Sequence, residues 1–169
     1  NILQFIYETI IKLKKGFIMY ELYRELIVKT SREKAWNFIQ NPKNLNKITP
    51  NDLSFEIISD IPDQMFEGMI VEYRVSIPII GKKEWVSELK HIVPGFSFVD
   101  EQKIGPYSLW YHYHGIEEVE NGVKLIDKVS YQTPFGIFGK IAHLIFIRNT
   151  LERIFNHRNI AFRELLENN

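Results

Sequence analysis

The feature that most restricts the fold is a series of strand-like segments followed by one long helix-like segment. Between residues 53 and 132, six successive segments alternate apolar and polar residues, and turn residues such as Asn121-Gly122 separate them. Alternation with a period of two predicts half-buried strands, and short connections predict antiparallel neighbours. After Pro134 there is no proline, and the apolar residues take a helical period that predicts a helix at about residues 138–167.

Three shorter elements precede this series. "YELYRELIV" predicts a strand over residues 20–29. "TSREKAWNFIQNP" predicts a helix that Thr30 or Ser31 caps and Pro42 ends, and "NPKNLNKITP" predicts a second short helix that ends at Pro50. A curved sheet has one apolar face to cover, and only the long helix is large enough to cover it. We therefore predict an α+β fold, in which an antiparallel sheet of about seven strands wraps round the C-terminal helix.

Charge and cysteine content exclude several classes of function. The 169 residues include 21 Lys and Arg, 21 Asp and Glu, and no Cys. A chain without net charge has no field that attracts phosphates, so we predict no nucleic-acid partner. Disulfides and thiolate zinc sites are excluded, and the lack of cysteine fits a cytoplasmic protein. No segment has the length and apolarity of a transmembrane helix.

The first 18 residues are predicted to form a separate amphipathic extension, with the main domain at 19–169. Leu3, Ile6, Ile10, Leu13 and Phe17 recur at helical spacing. Such a helix could dock on the domain or on a second copy, which would make a homodimer, or it could lie on a membrane surface. A further interpretation is that these residues precede the natural start, because Met19 resembles a native first residue.

Five stretches of the sequence resemble the START/Bet v 1-like (SRPBCC) superfamily, and in particular a bacterial branch of ligand-binding SRPBCC proteins. They are "MYELYRE" (19–25), "NPKNLNKITP" (41–50), "FEIIS" (55–59), "FVDEQKIGPYSLWYHYH" (98–114) and "TPFGIFGKIAHLIF" (133–146). The resemblance implies a helix-grip fold with a hydrophobic cavity between sheet and helix. Superfamily members include lipid carriers, hormone receptors, ubiquinone-binding proteins and aromatic polyketide cyclases, so the fold limits the function without defining it.

Several polar residues interrupt the apolar faces of the predicted strands. His112 and His114 share a strand face with Trp110, and Asp127 lies among apolar residues on the following strand. A buried carboxylate must find a partner or lose its charge. We therefore expect His112 or His114 to pair with Asp127, or with Asp100 on the preceding strand, on the concave face of the sheet.

Four interpretations of this cluster remain open. The histidines could only fix strand packing, or they could orient a mainly apolar ligand in a pocket. They could act with Asp127 or Asp100 in acid–base catalysis, although no nucleophile or oxyanion donor accompanies them in the sequence. They could also bind a metal with Asp127, but no further ligand spacing supports that reading. We predict neither a metal nor a cofactor.

The function we predict is binding of a small hydrophobic or amphipathic molecule between the sheet and the helix. The alternatives are a polyketide cyclase or dehydratase, and an interaction module with a closed core, which a structure without a void above roughly 300 Å³ would favour. The basic residues Arg148, Arg153, His157, Arg158 and Arg163 are expected on a solvated helix face. The predicted cavity walls are Phe55, Ile57, Val71, Tyr73, Val75, Trp85, Phe98, Trp110, Val129, Tyr131, Ile141, Ile145, Leu151 and Phe155.

Overall fold

The computed structural model describes residues 18–53, 55–77 and 81–167. Its elements follow the predicted order of one strand, two short helices, six strands and a long C-terminal helix. They are β1 (Tyr20–Val28), α1 (Arg32–Ile39), a 3-10 helix (Pro42–Ile48), β2 (Phe55–Ile57), β3 (Met69–Ile77), β4 (Gly81–Val93), β5 (Ser97–Ile104), β6 (Leu109–Val119), β7 (Gly122–Gln132), α2 (Gly136–Ala142), a π-helical segment (His143–Ile147) and α3 (Arg148–Glu167). The predicted α+β helix-grip architecture is therefore confirmed. The predicted N-terminal extension lies outside the described residues, apart from Ile18.

The seven strands form one antiparallel sheet in the order β1-β7-β6-β5-β4-β3-β2. Consecutive strands are neighbours except at β1, which pairs with β7 along its whole length. The register between β4 and β5 shifts between Lys90 and Val93, where His91 has a φ of 53°. Such a bulge bends a sheet locally and helps it to curve round the helix.

The two short helices close one end of the curved sheet. Ser31 caps α1, because its hydroxyl accepts a hydrogen bond from the Lys34 amide at 3.1 Å. Asn41 caps the 3-10 helix in the same way through the Lys43 amide at 3.0 Å. Trp36 of α1 is buried, and its ring meets the Phe98 ring edge-on at 6.3 Å between centroids. The two caps therefore fix the start of each short helix, and the apolar side chains of these helices pack into the core.

The C-terminal helix consists of α2, the π-helical segment and α3, which follow one another without a break. In α3, Leu151, Phe155, Phe162 and Leu166 are almost fully buried against the sheet. In the first half, Phe138, Leu144 and Ile145 are more than half exposed. The first half therefore exposes several large apolar side chains and buries few residues, Lys140 and His143 among them, while α3 buries a continuous apolar stripe.

Two predicted wall residues, Ile141 and Ile145, point away from the interior and are 45% and 72% exposed. The prediction assumed one helical period from residue 138 onward. The π-helical segment His143–Ile147 holds more residues per turn than an α-helix, and so rotates the residues before it relative to α3. Phe146 and Ile147 line the interior in place of Ile141 and Ile145.

None of the helices among the described residues combines the length and the apolarity needed to span a membrane.

Candidate ligand cavity and buried charge cluster

A cavity of about 650 Å³ lies between the sheet and the C-terminal helix, which lines it from Gly139 to Arg158. It is larger than the limit of roughly 300 Å³ below which a closed core would be favoured. Ile104, Gly105 and Phe135 line it and are exposed, so the mouth lies between the loops that follow β5 and β7. The side chain of Phe135 is 81% exposed at this mouth.

Aromatic rings from three alternate strands of the sheet form the inner wall of the cavity. Trp85 on β4 meets Trp110 on β6 edge-on at 5.4 Å between ring centroids, and Phe55 on β2 lies 6.2 Å from Trp85. Tyr107, in the loop before β6, lies 4.9 Å from Trp110. Thr150, Leu151 and Ile154 are among the residues that line the cavity from the helix. These contacts make a broad, continuous apolar surface.

A buried charge cluster consists of His112, His114, Asp127 and Arg158. Oδ1 of Asp127 lies 2.8 Å from Nε2 of His112, 3.0 Å from Nδ1 of His114 and 3.1 Å from Nη1 of Arg158. The strand register explains the first contacts, because His114 is directly opposite Asp127 and His112 follows on the same face. Arg158 reaches the same oxygen from α3. The cluster therefore ties the centre of the sheet to the helix that covers it.

Burial and charge set the protonation states in this cluster. Burial lowers the pKa of His112 to about 3, and the nearby His114 adds to that effect. Burial alone would raise the pKa of Asp127, but the Arg158 guanidinium and hydrogen bonds from both histidines hold this pKa well below its ordinary value. Both pKa shifts are explained if His112 is neutral and donates Nε2–H to an ionised Asp127.

Asp100 on β5 is a second carboxyl in the interior, and it is only partly buried, whereas Asp127 is buried. Burial raises the pKa of Asp100, and the Ser87 hydroxyl and the charges of His114 and Arg158 only partly oppose this rise. Among the described residues, Oδ1 of Asp100 has no hydrogen-bond partner. Asp100 lines the main cavity and also a smaller adjoining cavity of about 70 Å³. The same interior thus holds two carboxyl groups whose pKa values are shifted in opposite directions.

Three side chains have a geometry that could hold a metal ion. The ligand atoms of His112, His114 and Asp127 lie within 4.8 Å of one another. However, the Arg158 guanidinium already bonds to the Asp127 oxygen that a cation would need. A divalent cation at that oxygen would be repelled by this buried positive charge, so the arrangement favours an ion pair rather than a metal centre.

The structure brings part of the predicted site together around the cavity. Asp100 and His112 line it, as do the following predicted wall residues: Phe55, Tyr73, Val75, Trp85, Trp110, Leu151 and Phe155. Phe98 and His114 stack on each other and line the smaller cavity. Val71 and Val129 are fully buried in the core, and Ile57 packs at its edge without lining the cavity.

Tyr131 was also predicted in the wall, but it belongs to a second polar contact. Its hydroxyl lies 2.8 Å from Nε2 of His143, and the His143 ring stacks on Tyr20 at 3.6 Å between centroids. Burial raises the pKa of Tyr131 to about 12 and lowers the pKa of His143. This contact links β7 and β1 to the π-helical segment and so fixes the part of the helix above the cavity.

Arg158 lies in the buried charge cluster, where the sequence did not predict it. We expected it on a solvated face, but it is only 7% exposed and is paired with Asp127. Its spacing could have revealed this position, because Leu151, Phe155, Arg158 and Phe162 form one helical stripe. Tyr107, Phe146 and Ile154 also line the cavity and were not predicted. A loop position hides Tyr107 from periodicity, and the π-helical segment hides Phe146, whereas Ile154 lies on the predicted apolar stripe of the helix.

Comparison with known proteins identifies the fold and not a ligand. No protein-family model matches the sequence, and no curated protein matches it. Among solved structures, the di-domain aromatase/cyclase StfQ from the steffimycin biosynthetic pathway matches with a TM-score of 0.68 and 11% identity. The match covers 89% of this chain and 52% of StfQ, so this chain spans about half the length of that protein.

Two single-domain structures match over nearly their whole length. Ginseng major latex-like protein 151 from Panax ginseng has a TM-score of 0.65 and 10% identity, with 89% of this chain and 99% of that chain covered. Protein CV1439 from Chromobacterium violaceum has a TM-score of 0.63 and 11% identity, with 88% and 96% covered. These structural neighbours are Bet v 1-like (SRPBCC) proteins, and the chain described here has their helix-grip fold.

Proposed function

We propose that this protein binds a small, mainly apolar molecule in the cavity between the sheet and the C-terminal helix. The observation that carries the proposal is a cavity of about 650 Å³ with aromatic walls and a mouth between two loops. A volume in this range is typical of small-molecule sites. The few polar groups on its walls, among them Asp100, His112 and Arg158, would orient the ligand.

The driving force would be removal of apolar surface from water. A ligand that buries about 300 Å² of apolar surface gains about 7 kcal/mol at roughly 25 cal/mol per Å², before the cost of immobilising it. Trp85, Trp110 and Phe55 already contact one another, so little ordering of the wall would accompany binding. Preorganisation of this kind favours micromolar or tighter binding of apolar molecules.

The test is a fluorescence titration of the full chain with N-phenyl-1-naphthylamine, an apolar probe that brightens in apolar sites. Thr150 lines the cavity, and Asn149 beside it is exposed. We expect Thr150→Trp to weaken probe binding at least about tenfold, because the indole occupies the ligand's space. Asn149→Trp adds the same ring outside and should leave binding unchanged. Equal affinity in wild type and Thr150→Trp would contradict the proposal.

A second candidate function is acid–base catalysis on the bound molecule, as in a polyketide cyclase or dehydratase. It is supported by two groups that line one cavity, a neutral imidazole on His112 and a carboxyl on Asp100 whose pKa is raised by burial. An enzyme of this kind would lose turnover in His112→Gln while it keeps ligand affinity. A carrier would change in affinity alone.

The remaining sequence-based expectations stay proposals. We place the protein in the cytoplasm because the chain has no cysteine. We also retain the boundary between an extension at 1–18 and a binding domain at 19–169, and a homodimer formed through that extension. Size-exclusion chromatography with light scattering, on the full chain and on a chain that starts at Met19, tests the dimer. An unchanged monomer in both would contradict it.

A further inference from the structure

Two buried polar atoms in the described part of the chain have no hydrogen-bond partner and belong to residues that line the cavity. They are Oδ1 of Asp100 and Nε of Arg158. We propose that Asp100 and Arg158 together bind an oxygen acceptor of the ligand, specifically a carbonyl oxygen, by donating two hydrogen bonds to it. This inference rests on the proposed ligand-binding function and names the chemical class of the ligand.

Asp100 supplies the first donor. It lies on β5 directly opposite His112 and lines both the main cavity and the smaller one. Burial raises its pKa and so shifts the balance toward the neutral acid. In the proposed site Asp100 has this form, whose O–H can donate a hydrogen bond. Leaving such a group without a partner costs free energy, which a ligand oxygen would recover.

Arg158 supplies the second donor. Its Nη1 is bonded to Asp127 at 3.1 Å, and its guanidinium carbon lies 5.2 Å from the centre of the Phe155 ring. These contacts leave the guanidinium little freedom, and its Nε–H is fully buried without a hydrogen-bond partner. Like Asp100, Arg158 lines both cavities, so the two residues border the same interior space.

The charges around these two residues select the kind of ligand group. The positive charge of Arg158 is balanced by Asp127, whose pKa lies well below its ordinary value. A neutral Asp100 adds a donor without adding charge. Two donors in a water-poor site bind an sp² oxygen better than a hydroxyl, and they would bind it more tightly still if it gained negative charge as an enolate. The ligand class is therefore a mainly apolar molecule with a ketone, quinone or ester carbonyl.

The experiment compares two probes of nearly the same shape in the full chain. The first is 6-propionyl-2-(dimethylamino)naphthalene, a fluorescent ketone, and the second is its 6-propyl analogue, which lacks the carbonyl oxygen. We expect the ketone to bind about tenfold more tightly, the effect of roughly one net hydrogen bond. Isotope-edited infrared spectroscopy of the bound ketone should show a carbonyl stretch at lower frequency than in an apolar solvent.

Two substitutions at Asp100 separate donation from mere packing. In Asp100→Asn, the amide N–H₂ can replace the carboxylic O–H, so the preference for the ketone and the lowered stretch should remain. In Asp100→Leu, the preference should fall to about twofold or less and the stretch should rise, because one donor is lost. Circular dichroism and thermal unfolding verify that both variants are folded, and the infrared frequency of Asp100→Asn provides a readout if Asp100→Leu is not.

The effect of pH gives a further readout. The groups that interact electrostatically with Asp100 are Tyr73 on β3, His114 on β6 and Arg158 on α3, and His112 lies opposite it. The ketone preference of the wild type should fall as pH rises through the folded-state pKa of Asp100, because the O–H is lost. Asp100→Asn keeps all the other groups, so its preference should not change over the same range.

The outcomes distinguish this inference from the proposed function. If both probes bind the wild type equally, the cavity binds apolar molecules but the two-donor site is wrong. If the ketone preference persists unchanged in Asp100→Leu, Asp100 is not a donor and the inference is also wrong. If neither probe binds, the proposed function itself fails.

Discussion

The two halves of the C-terminal helix cover the sheet in different ways. The second half, α3, buries Leu151, Phe155, Phe162 and Leu166 and carries the ion pair between Arg158 and Asp127. The cavity lies under the first half, α2 and the π-helical segment, and also under the start of α3, and the first half exposes Phe138, Leu144 and Ile145. One helix therefore combines a closely packed end around Leu166 with a longer region that leaves space for a ligand.

The comparison shows how a small domain can keep an open interior and remain folded. Apolar contacts and the buried charge cluster at one end of the helix fix its position on the sheet. At the other end, the hydrogen bond between Tyr131 and His143 is one of the contacts that hold the helix to the sheet. The following predictions test this difference, beginning with the largest expected effect.

The largest effect should come from the buried ion pair. Arg158→Leu leaves the Asp127 carboxylate in the interior without its cation, and we expect it to lower the free energy of unfolding by about 3–5 kcal/mol. The double variant Asp127→Leu/Arg158→Leu removes both charges and should be less destabilised than Arg158→Leu alone. Urea denaturation measures both. A loss below about 0.5 kcal/mol in Arg158→Leu would show that the pair does not anchor the helix.

A matched pair of leucines compares the two halves directly. Leu166 is 2% exposed in the second half, and Leu144 is 51% exposed in the first. We expect Leu166→Ala to cost about 3 kcal/mol through lost burial and a new cavity, and Leu144→Ala to cost less than about 0.5 kcal/mol. Equal losses in thermal or urea unfolding would mean that both halves pack alike.

The pKa of His112 predicts how stability depends on pH. The folded-state pKa is about 3 and the ordinary value is 6.5, so between these limits the unfolded chain binds a proton that the folded chain does not. Stability from this group is therefore present above pH 6.5 and is lost as pH falls, by about 2 kcal/mol between pH 7 and pH 5. His112→Gln removes the titration and should lack this part of the loss.

The comparison between wild type and His112→Gln also controls for other groups. The raised pKa of Asp100 acts in the opposite direction, since it reduces stability as pH rises above 3.8, and it is present in both proteins. The prediction concerns the difference between the two stability curves. Parallel curves between pH 7 and pH 5 would contradict a neutral, buried His112.

The last prediction concerns the entry to the first half of the helix. A Cβ atom at Gly139 would lie 1.8 Å from the backbone oxygen of Pro134, so a side chain there forces the loop before α2 to move. We expect Gly139→Ala to cost about 2–3 kcal/mol, because the clash is with backbone. It should also weaken naphthylamine binding a few-fold, because Phe135 in that loop lines the cavity mouth. Asn149→Ala, on the exposed side of the same helix, should change neither.

The sequence predicted the fold well because its signals are local. Alternation in the strands, the Asn121-Gly122 turn and the helical period after Pro134 each follow from short-range geometry. The same alternation placed His112, His114 and Asp127 on one face, and the structure brings these three side chains together.

The features that the sequence did not reveal depend on long-range contacts. Arginine side chains are mostly exposed in proteins, so the residue type predicts exposure for Arg158. The tertiary contact with Asp127 explains why this arginine is buried. The π-helical segment changes the helical phase, which is why Ile141 and Ile145 turn outward. Tyr107 lines the cavity from a loop, where no period exists to predict its direction.

The most direct test of the account is a methyl NMR titration of the full chain with N-phenyl-1-naphthylamine. We predict that methyl signals of Ile147, Leu151 and Ile154, which line the cavity, shift with the probe. Signals of Leu166 and Val28 in the solid part of the core should stay in place. The contradicting result is a set of shifts confined to exposed methyls such as those of Ile145 and Leu144, with none at Leu151. It would show that the probe binds only to the surface and not in the cavity.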